Sequence, residues 1–187
     1  TTQLSIGTAT SSSVTYNWQE ISPGTATGSG NFSGTTLTIK GLPTGATIRL
    51  RISPTNFQRI NINSGTDRGR LLDVEQWGST VWTSMAFAFA GCNNLNITAT
   101  DIPVLTSVTN MLRMFEGCST LNGPSNINSW NTAVVTNLSG IFLTASAFNQ
   151  NIGNWNTGAV TDMSQMFFGA TSFNQNIGNW DTEAVTD

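Results

Sequence analysis

The sequence predicts a mixed fold. A repeat solenoid, with parallel strands on one side and short helices on the other, follows a small β-sandwich-like module. Three observations carry that expectation. First, FNQNIGNW at residues 148–155 returns at 173–180, and the seven residues after it (NTGAVTD, then DTEAVTD) nearly repeat as well. A period of about 25 residues marks an array in which each unit stacks on its neighbours. Second, residues 1–62 alternate apolar and polar positions between Gly- and Pro-bearing turns, the pattern of half-buried strands. Third, a polar stretch at 64–69 (SGTDRG) separates the two patterns. The expected organisation is a β-rich module over residues 1–66 and a repeat region over 71–187, about four to five coils long and truncated at its C-terminal end.

In chain order, VTYNW at 14–18 alternates, and LTIK at 37–40, GLPTG at 41–45 and ATIRLRI at 46–52 read as strand, turn and strand. In the last of these, Ile48, Leu50 and Ile52 share one face, and Arg49 and Arg51 share the other. The Leu-Pro-Thr-Gly turn is similar to those of fibronectin type III domains, which implies an Ig or fibronectin III-like module. Its length falls short of the ~100 residues of a complete sandwich of that kind. FQRININ at 57–63 is a further strand candidate.

In the repeat region one slot holds Trp77, Pro103, Trp130, Trp155 and Trp180, and five residues on come Trp82, Val108, Val135, Val160 and Val185. Two residues past that lie Ser84, Asn110, Asn137, Asp162 and Asp187, all of them helix N-cap types. Apolar residues follow at i, i+3 and i+4, as in Met85/Ala88/Phe89, Met111/Met114/Phe115, Leu138/Ile141/Phe142 and Met163/Met166/Phe167. That spacing predicts a two-turn helix opened by the cap residue, for example at Met163 after Asp162. Gly91, Gly117 and Gly169 suit a left-handed C-terminal cap, with Thr144 as the exception. The pieces around Ile127, Ile152 and Ile177 are the expected parallel strands.

The string MFFGATSFNQNIGNWDTEAVTD at 166–187 resembles the bacterial surface-protein repeat of about 25 residues, which is related to BspA-like leucine-rich repeats. FAGCNNL at 89–95 and FEGCSTL at 115–121 look like the helix of the BspA-like repeat itself. Pro103, Thr144 and two extra residues between Leu121 and Ile127 depart from the pattern. The resemblance implies a leucine-rich-repeat-like α/β solenoid, an extracellular or cell-surface location, and a role in adhesion or protein–protein recognition through the sheet face.

Composition narrows the chemistry. Only 9% of residues are charged and histidine is absent, which removes the usual base of nucleophilic pairs and the commonest metal ligand. No catalytic residue, metal site or cofactor is expected, and the chain reads as a non-enzyme. Lys40, Arg49, Arg51, Arg59, Arg68 and Arg70 fall in the first part, whereas residues 71–187 hold Arg113 alone against eight acids. That acidic part would repel phosphate, so nucleic acid is not an expected partner. No stretch is apolar enough to cross a bilayer.

The candidate ligand-binding residues are Asn151, Asn154, Asn156, Asn176, Asn179 and Asp181, a nearly uncharged row on the extended side of the coils. The alternative site is the basic group Arg49, Arg51, Arg59, Arg68 and Arg70. The expected partner is an extracellular protein or a glycan, with end-to-end self-association through the uncapped last coil as a further mode. A structural stalk or spacer and a carbohydrate-binding module are the alternatives in function. Cys92 and Cys118 occupy equivalent slots, filled by Ala145 and Ala170 in later coils, and read either as small core residues or as a disulfide between coils. Asn96, Asn122, Asn149 and Asn174 read as a structural ladder between coils.

Overall fold

The alternating segments of the first third become six antiparallel strands: β1 (Leu4–Thr10), β2 (Val14–Ser22), β3 (Thr27–Phe32), β4 (Thr36–Ile39), β5 (Thr47–Ile52) and β6 (Phe57–Asn61). The computed structural model describes residues 3–63 and 65–187, so Thr1 and Thr2 of the expected module and Ser64 of the expected polar break lie outside it. Two three-stranded sheets form, in the orders β4-β1-β6 and β3-β2-β5. Trp18 of β2 meets Leu37 and Ile39 of β4 across a shared core, with Leu42 from the following turn and Ile48, Leu50 and Ile52 packed against it. The period of two thus places the apolar face of each sheet against the other.

The first sheet does not end at β6. Thr83 donates its N–H to the Gln58 carbonyl at 3.0 Å, and Ile62 donates to the Ala88 carbonyl at 3.2 Å. The rings of Phe57 and Trp82 meet edge-on at 5.5 Å. One apolar cluster therefore runs from Ile6, Val14 and Phe57 through the repeats to Met166. Past β6, a 3-10 turn (Arg68–Arg70) leads into β7 (Asp73–Val74), which pairs in parallel with β8 (Asn96–Ile97). A second 3-10 turn spans Ile127–Ser129.

Here the sequence expectation is corrected. A leucine-rich-repeat-like, BspA-like α/β solenoid is not what the chain forms. The two larger sheets are antiparallel, and among the described residues parallel pairing is confined to β7–β8 and isolated bridges such as Asn110–Asn137 and Asn137–Asp162. No α-helix follows the cap slot, and the segments around Ile152 and Ile177 are turns and irregular chain. The sheet face expected to carry recognition is therefore absent.

The physical reason lies in two backbone positions of every repeat. Phe87, Arg113, Gly140 and Gln165 have φ of 56°, 51°, 57° and 55°, and Gly91, Gly117, Thr144 and Gly169 are left-handed as well. A helix cannot continue through such residues, and outside glycine each costs about 1–2 kcal/mol. What offsets that cost is a second use of the amides. The N–H groups of Met85, Phe87, Phe89 and Gly91 donate to the carbonyls of Asn110, Leu112, Met114 and Glu116 in the next repeat, at 2.7–3.0 Å. The residues between them, Ala88, Ala90 and Cys92, close tight turns onto Met85, Phe87 and Phe89. The same alternation recurs from residue 111 and from residue 138. In an α-helix opened at Met85 the N–H groups of Phe89 and Gly91 would bond four residues back and could not join the repeats.

The apolar pattern is nonetheless buried as its spacing demands. Met111, Met114, Phe115, Leu138, Ile141 and Phe142 are all fully buried. Phe89, Phe115, Phe142 and Phe167 form one stacked column with centroid spacings of 5.7–5.9 Å. In the last repeat Phe167, Phe173, Ile177 and Trp180 are half-buried, whereas Phe142, Phe148, Ile152 and Trp155 one repeat earlier are buried.

Two substitutions check this conformation by urea denaturation. In an α-helix Gln165→Gly would cost about 1 kcal/mol. At a left-handed position it is expected to be neutral or stabilising by up to ~1 kcal/mol, since glycine removes the Cβ penalty. Phe142→Ala, in the middle of the ring column, should cost about 3–5 kcal/mol.

Candidate functional site

Each repeat carries Asn or Asp where the chain turns, and the structure shows what those side chains do. Asp162, expected as a helix cap, instead accepts the Ser164 N–H two residues on at 2.9 Å, and Asn137 accepts the Ser139 N–H in the same way. Asn110 does so for Leu112, and Ser84 for Ala86 through its hydroxyl. These are side-chain turns that fix the backbone locally, a role for which Asx residues are suited.

The segment from Phe148 to Trp155 forms one edge of the repeats. Phe148, Ile152 and Trp155 point inward and are buried, while Asn151, Asn154 and Asn156 are exposed, with Asn176, Asn179 and Asp181 exposed in the next repeat. All six candidate residues thus reach solvent on neighbouring repeats. Stacking is direct: Thr132 donates its hydroxyl to the Asn156 carbonyl at 2.9 Å, and Thr157 donates to the Asp181 carbonyl at 2.8 Å. Asn154 donates its N–H to the Asn128 side-chain oxygen at 2.9 Å. Beside this edge the Asn122, Asn149 and Asn174 ladder holds the repeats together. Asn149 donates its N–H to Oδ1 of Asn122 at 3.1 Å, and Asn174 to Oδ1 of Asn149 at 2.9 Å. Asn96, expected in the same ladder, lies in β8 and bonds through its N–H to the Leu72 carbonyl.

The alternative basic group is not gathered into one site. Arg49 grips Glu75 with two hydrogen bonds, one of 2.9 Å from Nη2, and the guanidinium holds the Glu75 carboxyl below its ordinary value. Arg59 donates to the Ala86 carbonyl at 2.9 Å, and Arg70 pairs with Asp67 at 2.9 Å. Arg68 lies along Gly91, and Arg51 stands exposed. These arginines mainly join the sheets to the first repeat.

Four of the Trp rings in the repeats offer no exposed platform, Trp77, Trp82, Trp130 and Trp155 being each at most 5% exposed, whereas Trp180 is half-buried. Trp155 and Trp180 donate their indole N–H groups to the carbonyls of Ile127 and Ile152, one repeat back. Cys92 and Cys118 are free and buried, and the Cys118 thiol donates to the Phe89 carbonyl at 3.2 Å. Burial pushes the Cys92 thiol from the ordinary 9.0 up to about 12, and that of Cys118 is raised as well. Among the described residues no group of three His, Cys, Asp or Glu is placed to hold a metal ion, and no helix is long and apolar enough to cross a membrane.

Fold and site together define a class: turn repeats stitched by backbone hydrogen bonds, begun by two antiparallel sheets, with an Asn-lined outer edge. The chain belongs to the family described as "Mycoplasma protein of unknown function, DUF285", whose model matches residues 73–187. No curated protein and no solved structure matches the chain.

Two measurements separate structural from available side chains. Asn149→Ala removes the acceptor of the Asn174 N–H and of the Gln175 amide, and should cost about 0.5–1.5 kcal/mol in denaturant melts. Asn154→Ala, at an exposed side chain, should stay within about 0.5 kcal/mol. For the cysteines, alkylation should be slow in the native protein and fast on unfolding. Their stabilising contribution should be complete below the ordinary thiol pKa of 9.0 and fall away as pH climbs toward about 12, because the unfolded chain releases those protons first.

Proposed function

We propose that this chain is a non-enzymatic recognition module, displayed outside the cell, that binds a partner protein through its Asn-lined edge. The observation that supports this most is the exposure of Asn151, Asn154, Asn156, Asn176, Asn179 and Asp181 on neighbouring repeats whose turns are held by hydrogen bonds. A preordered polar edge loses little conformational entropy on binding. Its side chains are uncharged except Asp181, so burying them against a partner avoids the desolvation of a charge. The basic group supports the site less well, because three of its arginines already hold partners in the same chain.

The test is replacement of Asn151, Asn154, Asn176 and Asn179 by Ala, followed by capture against panels of extracellular-matrix proteins and polysaccharides. A partner retained by the parent and lost by the variant supports this reading, with weak dependence on salt because few charges take part. A partner whose binding survives those changes and disappears with Arg51→Ala would move recognition to the β-sheet module.

A further inference from the structure

The Asn side chains on this edge are polarised. Oδ1 of Asn151 accepts the Gly153 N–H at 2.9 Å, Oδ1 of Asn156 accepts from Gly158 at 3.1 Å, and Oδ1 of Asn176 accepts from Gly178 at 2.9 Å. Asn131 does the same for Ala133 at 3.1 Å, and Asn128 for the Asn154 N–H at 2.9 Å. A backbone N–H can bond only to the oxygen of an amide, so this geometry fixes which end of each side chain faces inward. Among the described residues the Nδ2 groups of Asn131, Asn151, Asn156 and Asn176 meet no protein acceptor. They lie in columns that the repeats hold in register, Asn131 below Asn156 and Asn156 below Asp181. The edge therefore offers amide N–H donors and few side-chain acceptors. Asp181 is the exception: it makes the same turn, accepting the Glu183 N–H at 3.0 Å, with a carboxylate instead of an amide.

We infer that this edge recognises a proline-rich polypeptide segment in extended, polyproline II form, a ligand class that rests on the recognition reading above. A donor-biased surface is complementary to a chain rich in acceptors and poor in donors. Proline supplies that chemistry, because it keeps the backbone carbonyl and lacks the N–H. In polyproline II the carbonyls are unpaired and face outward, and the conformation is set before binding. An ordinary extended peptide would bring its own N–H groups against the Asn amides. A glycan would bring hydroxyls that both donate and accept, and so would gain less from an edge biased toward donors.

The decisive variant keeps the turn and removes the donor. Asn151→Asp, Asn156→Asp and Asn176→Asp together retain the oxygen that each turn needs, as Asp181 already does in its own turn. Circular dichroism and thermal melts should show the folded protein unchanged. The probes are an uncharged oligoproline peptide, a glycine-serine peptide of equal length, and an N-acetylated β-linked oligosaccharide, read by calorimetry or fluorescence polarisation. Oligoproline should bind best, lose affinity about tenfold or more in the triple Asp variant, and gain with Asp181→Asn. Oligoproline bound equally by parent and triple variant would overturn both the inference and the Asn edge as the site. An oligosaccharide that binds where oligoproline does not, and is lost in the triple variant, would overturn the inference while keeping the edge as a recognition surface. Absence of binding to any of the three probes would overturn the inference alone.

Discussion

The backbone hydrogen bond that passes from one repeat to the next is the constraint on which the rest of this structure depends. Every second amide between Met85 and Gly91 reaches forward to the following repeat, and the same holds in the two repeats after it. For those amides to point outward, the intervening residues must fold as tight turns with left-handed positions. The residues concerned (Phe87, Arg113, Gln165 and Thr144) would not choose that conformation in a free chain. The stacked column Phe89, Phe115, Phe142 and Phe167 sits beneath the same segments, with ring planes within 9–14° of parallel. Ring stacking and the forward hydrogen bonds demand the same translation between repeats, so each reinforces the other.

A stack of this kind exposes unpaired backbone wherever it begins, and the N-terminal sheets deal with that edge. Strand β6 takes hydrogen bonds from Thr83, Ile62 just after it gives one to the Ala88 carbonyl, and β7 pairs with β8 in the first repeats. An open edge would be a template for pairing with another chain. Three of the basic residues of the first part are used at this junction. Arg49 pairs with the Glu75 carboxylate, Arg59 reaches the Ala86 carbonyl and Arg68 covers Gly91, so side chains of the first part hold the first repeat.

Asparagine serves structure and surface at once. Its oxygen holds a turn, as at Asn151 and Asn156, or the neighbouring repeat, as at Asn122 and Asn149. Its amide is then turned outward. The polarity of the edge is thus a by-product of the way the repeats are built, and it explains how a segment with so few charges can still present a directional pattern of donors.

Much of the interior was legible in the sequence. The slots holding Phe115, Phe142, Val135 and Trp155 are buried as their periodicity required, and β2, β4, β5 and β6 fall on segments read from alternation, whereas β3 runs through Gly28 and Gly30, where no alternation marks a strand. That Asn151, Asn154 and Asn156 all reach solvent while Ile152 and Trp155 turn inward was not legible, because the sequence left the register of this segment open and irregular chain, not strand alternation, sets it. The conformation of the repeats was not legible. Apolar residues at i, i+3 and i+4 fit one face of a helix and equally fit a row of tight turns, and the difference between them is where the amides go. That choice belongs to a partner about 25 residues away along the chain, as in Met111 to Asn137 or Leu138 to Asp162. Local propensity cannot weigh a bond whose acceptor is supplied only by the stacked neighbour, so the tertiary structure decided it.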